Sequence, residues 1–164
     1  MVLGLSFFIF EPAVKAYDFS IENPFILGYL TKANGSVFLP RNDAAAIPWF
    51  EKALAADPNQ IGALHSLATI YTRKEKDPGN QFLEKAIDLF LRAGALGDEW
   101  SFQDLGNIYG NAKANPDLSA TYYKKGALRA RAVKNDFVFQ TCLKELRDLA
   151  AKGNETAKEA LKGL

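Results

Sequence analysis

The chain is poor in the residues that most chemistry needs. Its 164 residues include one cysteine and one histidine. A lone Cys142 excludes an intramolecular disulfide, and in an apolar helical context it reads as a small core residue. His65 and Cys142 fall on different expected helices, with no third group fixed beside either, so a Cys/His nucleophile pair has no basis. One histidine and one cysteine do not make a usual zinc set, so no metal and no cofactor is expected. A glycine-rich phosphate loop is missing. Gly94-Ala95-Leu96-Gly97 sits at an expected helix end and reads as a terminator. Excess charge is missing too: 20 Lys and Arg against 19 Asp and Glu leave +1. No overall field therefore favours nucleic acid or a membrane surface. No segment alternates with period two for long, so almost no strand is expected.

No apolar run approaches the ~20 residues that a membrane-spanning helix needs, and stable membrane insertion is not expected. The most apolar stretch, Val2 to Phe10, leads into Glu11-Pro12-Ala13-Val14-Lys15-Ala16-Tyr17. Val14-x-Ala16 has the small-x-small character of a signal-peptidase site. Residues 1–16 are therefore read as a signal peptide of a periplasmic or secreted protein. The alternative is an apolar segment packed on the body of a cytoplasmic one, favoured by Glu11 and by the lack of basic residues before the run. An apolar fraction of 48% argues against disorder in the rest.

What the chain does contain is repetition. One phrase occurs three times, as Ala46-x-x-Trp49-Phe50-x-x-Ala53, Ala86-x-x-Leu89-Phe90-x-x-Ala93 and Ser119-x-x-Tyr122-Tyr123-x-x-Gly126. A second phrase alternates with it: Leu27-Gly28, Leu67-Ala68-x-x-Tyr71 and Leu105-Gly106-x-x-Tyr109. The small residues of each first-phrase copy lie seven apart, two turns along one helix face. They let a neighbouring helix approach while Phe50, Phe90 and Tyr123 fill the space between layers. Caps and breakers predict helices over about 24–33, 43–56, 60–74, 81–96, 99–109, 116–132, 137–152 and 155–162. Pro48 predicts a slight bend in the second of these, or a start at Ile47.

These phrases resemble the tetratricopeptide repeat and, more closely, its Sel-1-like relative. Leu27 to Leu67 is 40 positions and Leu67 to Leu105 is 38, longer than the usual tetratricopeptide period of about 34. Gly97 precedes Leu105 as in the Sel-1-like phrase G-x-x-x-A-x-x-x-L-G, and Gly35-x-Val37 before Asp43-x-x-Ala46 resembles its connecting loop. The resemblance implies an all-α fold, a right-handed superhelix of about four antiparallel helix pairs. Its repeats would be 24–60, 61–98 and 99–134, with a degenerate capping pair at 135–164. It departs from the family in lacking the tyrosine three residues after Gly28 and in a long charged loop at Arg73–Asp77. The disulfides of some members are also absent.

The resemblance also implies a function without turnover: capture of a protein or peptide partner in a concave groove, by a monomer or weak homo-oligomer. The family's geometry selects Phe25, Tyr29, His65, Thr69, Gln103 and Asn107 as inward-facing, with Trp100 at the lip. Phe25 and Trp100 read equally as packing on neighbouring loops, and His65 as an ordinary surface residue. The densest charge run, Lys124, Lys125, Arg129, Arg131 and Lys134, is a solvated helix face or a patch for an acidic partner; nucleic acid is not expected, since no aromatic interleaving continues through it. Within the family's range lie an exported bacterial adaptor or regulator and an immunity protein neutralising a toxic effector. Two other classes are a self-associating scaffold and a helical enzyme acting on peptidoglycan or peptides. The enzyme would need paired carboxylates such as Asp18 or Glu22 with Glu51. Asn34-Gly35-Ser36 and Asn154-Glu155-Thr156 are glycosylation sequons.

Overall fold

The computed structural model describes residues 43–73 and 78–164. The expected helix at 24–33, with Phe25, Tyr29, Asp18 and Glu22, lies outside the described residues, as do residues 1–16. Among the described residues every regular element is helical. The seven α-helices are α1 (Asp43–Ala56), α2 (Ile61–Tyr71), α3 (Gln81–Ala95), α4 (Glu99–Asn111), α5 (Pro116–Ala132), α6 (Asp136–Ala151) and α7 (Glu155–Lys162). Two compact units divide at Ile70/Tyr71. None of the helices in the described residues is long and apolar enough to cross a membrane.

In the first unit α1 buries Ala46, Phe50 and Ala53, the small-aromatic-small phrase, on one face. Pro48 lies inside this helix. Helix α1 begins at Asp43, a full turn before the proline, so neither a start at Ile47 nor a helix break occurs there. Asp57 closes the turn by accepting from the Asn59 N–H at 3.0 Å. Helix α2 is shorter than expected and buries Ala63, Leu64, Leu67, Ala68 and Ile70.

The second unit carries most of the described core. Each helix packs on the next, α3 on α4, α4 on α5, α5 on α6 and α6 on α7. Like helices also touch one step along: α4 meets α6 and α5 meets α7. Burial again follows the repeated phrases. Ala86, Phe90 and Ala93 are within 1% of complete burial, and Ser119, Tyr123 and Gly126 are buried. Phe90, Leu105 and Leu146 each contribute on the order of 2 kcal/mol by leaving water. Helices α4 and α5 meet closely at Gly106, where a Cβ would stand 2.5 Å from the Tyr123 ring. Ser119 Oγ donates to the Gly106 carbonyl at 2.8 Å across the same contact.

Side-chain caps set the helix starts. Asp98, Asn115, Asn135 and Asn154 each accept the N–H three residues on, at 3.1, 3.0, 3.2 and 2.7 Å. Each satisfies one of the donors that a helix start leaves open. Gly97, at φ 102°, ends the α3–α4 turn where a side chain would be strained and would also meet the Arg129 guanidinium.

Candidate functional site

The groove residues expected on the fifth predicted helix all lie on α4. Trp100, Gln103 and Asn107 are spaced i, i+3, i+7 and so form one stripe. Trp100 is 38% exposed, and its ring stacks on Phe137 at 5.6 Å between centroids and 28° between planes. Phe137 is 67% exposed, the most open large apolar side chain among the described residues. Both rings occupy the second position of their helices, α4 and α6. Beside them the Asn135 amide Nδ2 donates to Glu99 Oε1 at 2.8 Å, tying the two helix starts together. Two aromatic rings are thus held side by side in solvent by a polar clip.

Below the stack, the Gln103 side-chain carbonyl is enclosed and has no hydrogen-bond partner among the described residues. Asn107 is engaged structurally: its Oδ1 accepts from the Tyr123 hydroxyl at 2.6 Å, joining α4 to α5. His65 and Thr69 are half-buried on α2 in the first unit, and Thr69 Oγ1 donates to the His65 carbonyl at 2.8 Å. The stripe on α4 and the pair on α2 are thus two sets on two units.

Phe137 was not among the sequence-selected residues, although a signal for it exists. Asp98-Glu99-Trp100-Ser101-Phe102-Gln103 returns as Asn135-Asp136-Phe137-Val138-Phe139-Gln140, 37 positions from Asp98 to Asn135. This second register of the repeat places Phe137 where Trp100 stands, and it pairs Ser101 with Val138, both fully buried.

The basic run on α5 separates into two sets. Lys125 lies over the Tyr122 ring at 5.1 Å, and Arg129 Nε donates to the Gly97 carbonyl at 2.8 Å. About a third of a turn around the helix, Lys124 lies beside Gly163, and Arg131 donates to the Leu164 carbonyl and lies 6.0 Å from the Phe139 ring centre. Arg129 and Arg131 serve backbone carbonyls at opposite edges rather than forming one cationic face.

Cys142 is fully buried where α4, α5 and α6 meet, and its sulfur would stand 3.0 Å from a Cβ on Gly126. Burial pushes its thiol up to about 12, helped by the carboxylates of Glu145 and Asp104. Burial also raises the Tyr123 hydroxyl, with Glu145 next in effect. At neutral pH Cys142 is a protonated packing group. Glu51 is exposed on α1, and among the described residues no group of three His, Cys, Asp or Glu side chains is arranged to hold a metal ion. The sequon residue Asn154 spends both side-chain atoms internally, capping α7 and donating to Asp117 Oδ1 at 2.7 Å. Comparison with protein-family models, with curated proteins and with solved structures returns no match.

Proposed function

We propose that this protein is a non-enzymatic interaction module of Sel-1-like type that captures a protein or peptide segment on the face marked by Trp100 and Phe137. The observation that carries this reading is the solvent-exposed stack of these two rings on neighbouring helices. Large aromatic side chains that keep half their surface open beside polar groups are the usual anchors of protein interfaces. Here the rings are fixed before any partner arrives, so less ordering entropy is lost on binding. Asn107 extends the stripe with a side-chain N–H that can donate to the backbone of an extended segment. The packing of α4 on α6 and of α5 on α7 fits successive units of a right-handed superhelix, with α6 and α7 as the capping pair. An exported adaptor or regulator fits this reading together with the apolar segment at residues 1–16.

The test is a comparison of captured proteins. The immobilised chain and its Trp100→Ala/Phe137→Ala variant are exposed to extract of the source cell under equal conditions. The reading expects one protein enriched by the parent and reduced at least tenfold by the variant, with the variant's helicity unchanged by circular dichroism. Equal recovery on both, or no protein enriched by the parent, counts against it.

A further inference from the structure

Each ring of the exposed stack follows an acid. Glu99 opens α4 directly before Trp100, and Asp136 opens α6 directly before Phe137. The bond from Asn135 Nδ2 to Glu99 Oε1, at 2.8 Å, ties these two acidic helix starts together, since Asn135 caps α6 directly before Asp136. Phe137 gives one face to Trp100 and is still 67% exposed, so its other face is open. An open aromatic face attracts a cation, and an ionised carboxylate only accepts hydrogen bonds.

Neither acid meets a cation among the described residues. The Glu99 side chain bonds Asn135, and that of Asp136 bonds Gln140 at 3.3 Å. The acids of α3 and α7, and the other two of α6, are each matched by a cation. Glu84 pairs with Lys113, Asp88 with Arg92, Glu155 with Lys158 and Glu159 with Lys162, while Glu145 and Asp148 share Lys144. Helix α4 has no lysine or arginine, and Asp104 lies on it one turn below Trp100. The densest basic run is on α5, where Arg129 and Arg131 donate to backbone carbonyls. The helix macrodipole explains an acid in a first turn, and α5 and α7 have one too. Only on α4 and α6, among the described helices, does that acid stand next to an exposed ring.

We infer that the segment captured on this face is cationic, and that it lays an arginine on the open Phe137 ring with guanidinium N–H groups donated to Asp136 and Glu99. A guanidinium is planar and weakly hydrated, so it stacks on a ring while its edge donates to carboxylates. An acidic or neutral segment would instead desolvate two carboxylates without compensation. The inference rests on the reading of the Trp100–Phe137 face as a docking surface and adds the charge of what docks there.

The test uses the full chain, isotopically labelled, and short acetylated and amidated peptides in which a leucine lies between two arginines, two citrullines or two glutamates. Citrulline keeps the shape of arginine and removes its charge. The arginine peptide is expected to shift the Trp100 indole signal and the amides of residues 99–104 and 136–141. The citrulline peptide is expected to bind about tenfold more weakly. Glu99→Gln retains an oxygen for Asn135, so the clip and the fold persist. Affinity for the arginine peptide is nevertheless expected to fall about threefold, and again by about that factor when Asp136→Asn is added. Equal affinity for the arginine and citrulline peptides, both lost in the Trp100→Ala/Phe137→Ala variant, overturns the inference and leaves the face standing as a docking surface. Preference for the glutamate peptide overturns it too, since the helix starts would then be attracting anions. Arginine-peptide shifts that persist in the Trp100→Ala/Phe137→Ala variant would be general attraction to acids and overturn it as well. An arginine peptide that shifts none of these signals overturns the inference, and the capture comparison then judges the face by itself.

Discussion

Asn135 joins its own helix to Glu99 on the like helix before it. Its Oδ1 accepts the Val138 N–H at 3.2 Å while its Nδ2 donates to Glu99 Oε1 at 2.8 Å. Asn154 repeats the device on the other helix layer, accepting from Ala157 and donating to Asp117, both at 2.7 Å. One asparagine at each position thus supplies both a cap within a helix and a strut between helices. Asp would give only the cap, since an ionised carboxylate has no proton to donate.

The two roles separate by substitution. Asn135→Ala loses both and is expected to cost about 1–2 kcal/mol. Asn135→Ser keeps a capping oxygen but cannot reach Glu99, so its cost is expected to be the smaller of the two. Denaturant unfolding of the three proteins checks the order. Equal loss in both variants would mean that the cap contributes nothing, and a Ser variant as stable as the parent would mean the same of the bond to Glu99.

Gly106 is a packing position. A methyl group there meets the Tyr123 ring at 2.5 Å, and the ring is held by its bond to Asn107. Gly106→Ala is expected to destabilise by about 1–3 kcal/mol, despite a helix-propensity gain of up to about 1 kcal/mol. Adding Tyr123→Leu opens the space, so the double variant is expected to lose less than the sum of the two single variants. Chemical denaturation of the full cycle measures the difference.

Helix starts were legible because their caps are side chains in the sequence: Asp98, Asn115, Asn135 and Asn154 cap helices that begin within one residue of the expected positions. Helix ends were less so. Gly110-Asn111 reads as a terminator, yet α4 runs through both residues. Gly110 is small because Ser119 Oγ lies 2.9 Å from where its Cβ would be, a reason that exists only once α5 is in place. The left-handed turn residue is instead Ala114, at φ 47°, a type whose sequence gives no such signal. The candidate site divides in the same way. The family resemblance selected Trp100, Gln103 and Asn107, but only tertiary contact shows Asn107 tied to Tyr123. Phe137 escaped because an aromatic residue at a helix start looks like core until its neighbours are placed.

The junction of α5 with α7 predicts an acid-dependent stability. The bonds from Thr156 and then Asn154 hold the Asp117 carboxyl below its ordinary 3.8. The native state thus binds that proton less tightly than the unfolded chain. Its contribution is complete above about pH 4 and is lost as pH falls through the lowered native value. Glu159, lowered by Lys162, acts in the same direction. Melting temperatures between pH 6 and pH 2 are expected to fall less steeply for Asp117→Asn than for the parent. Identical slopes would show that the exposed junction carries no such linkage.

Cys142 predicts the opposite sign at alkaline pH. Its native thiol titrates near 12, against an ordinary 9.0, with burial the main cause. Between those values the unfolded chain ionises first and is favoured, so stability that is complete below about pH 9 declines as pH rises. Tyr123, also raised by burial, adds to the decline above its ordinary 10.0. Cys142→Ala should flatten the part of the curve that begins near pH 9 and leave the part that Tyr123 contributes. The same burial governs reactivity, because only the thiolate attacks a disulfide reagent. An aromatic disulfide added to the native protein at pH 8 is expected to label Cys142 only as fast as the α4–α5–α6 contact opens, and at once in denaturant. Rapid native labelling would place the sulfur in contact with solvent and remove the basis for both expectations.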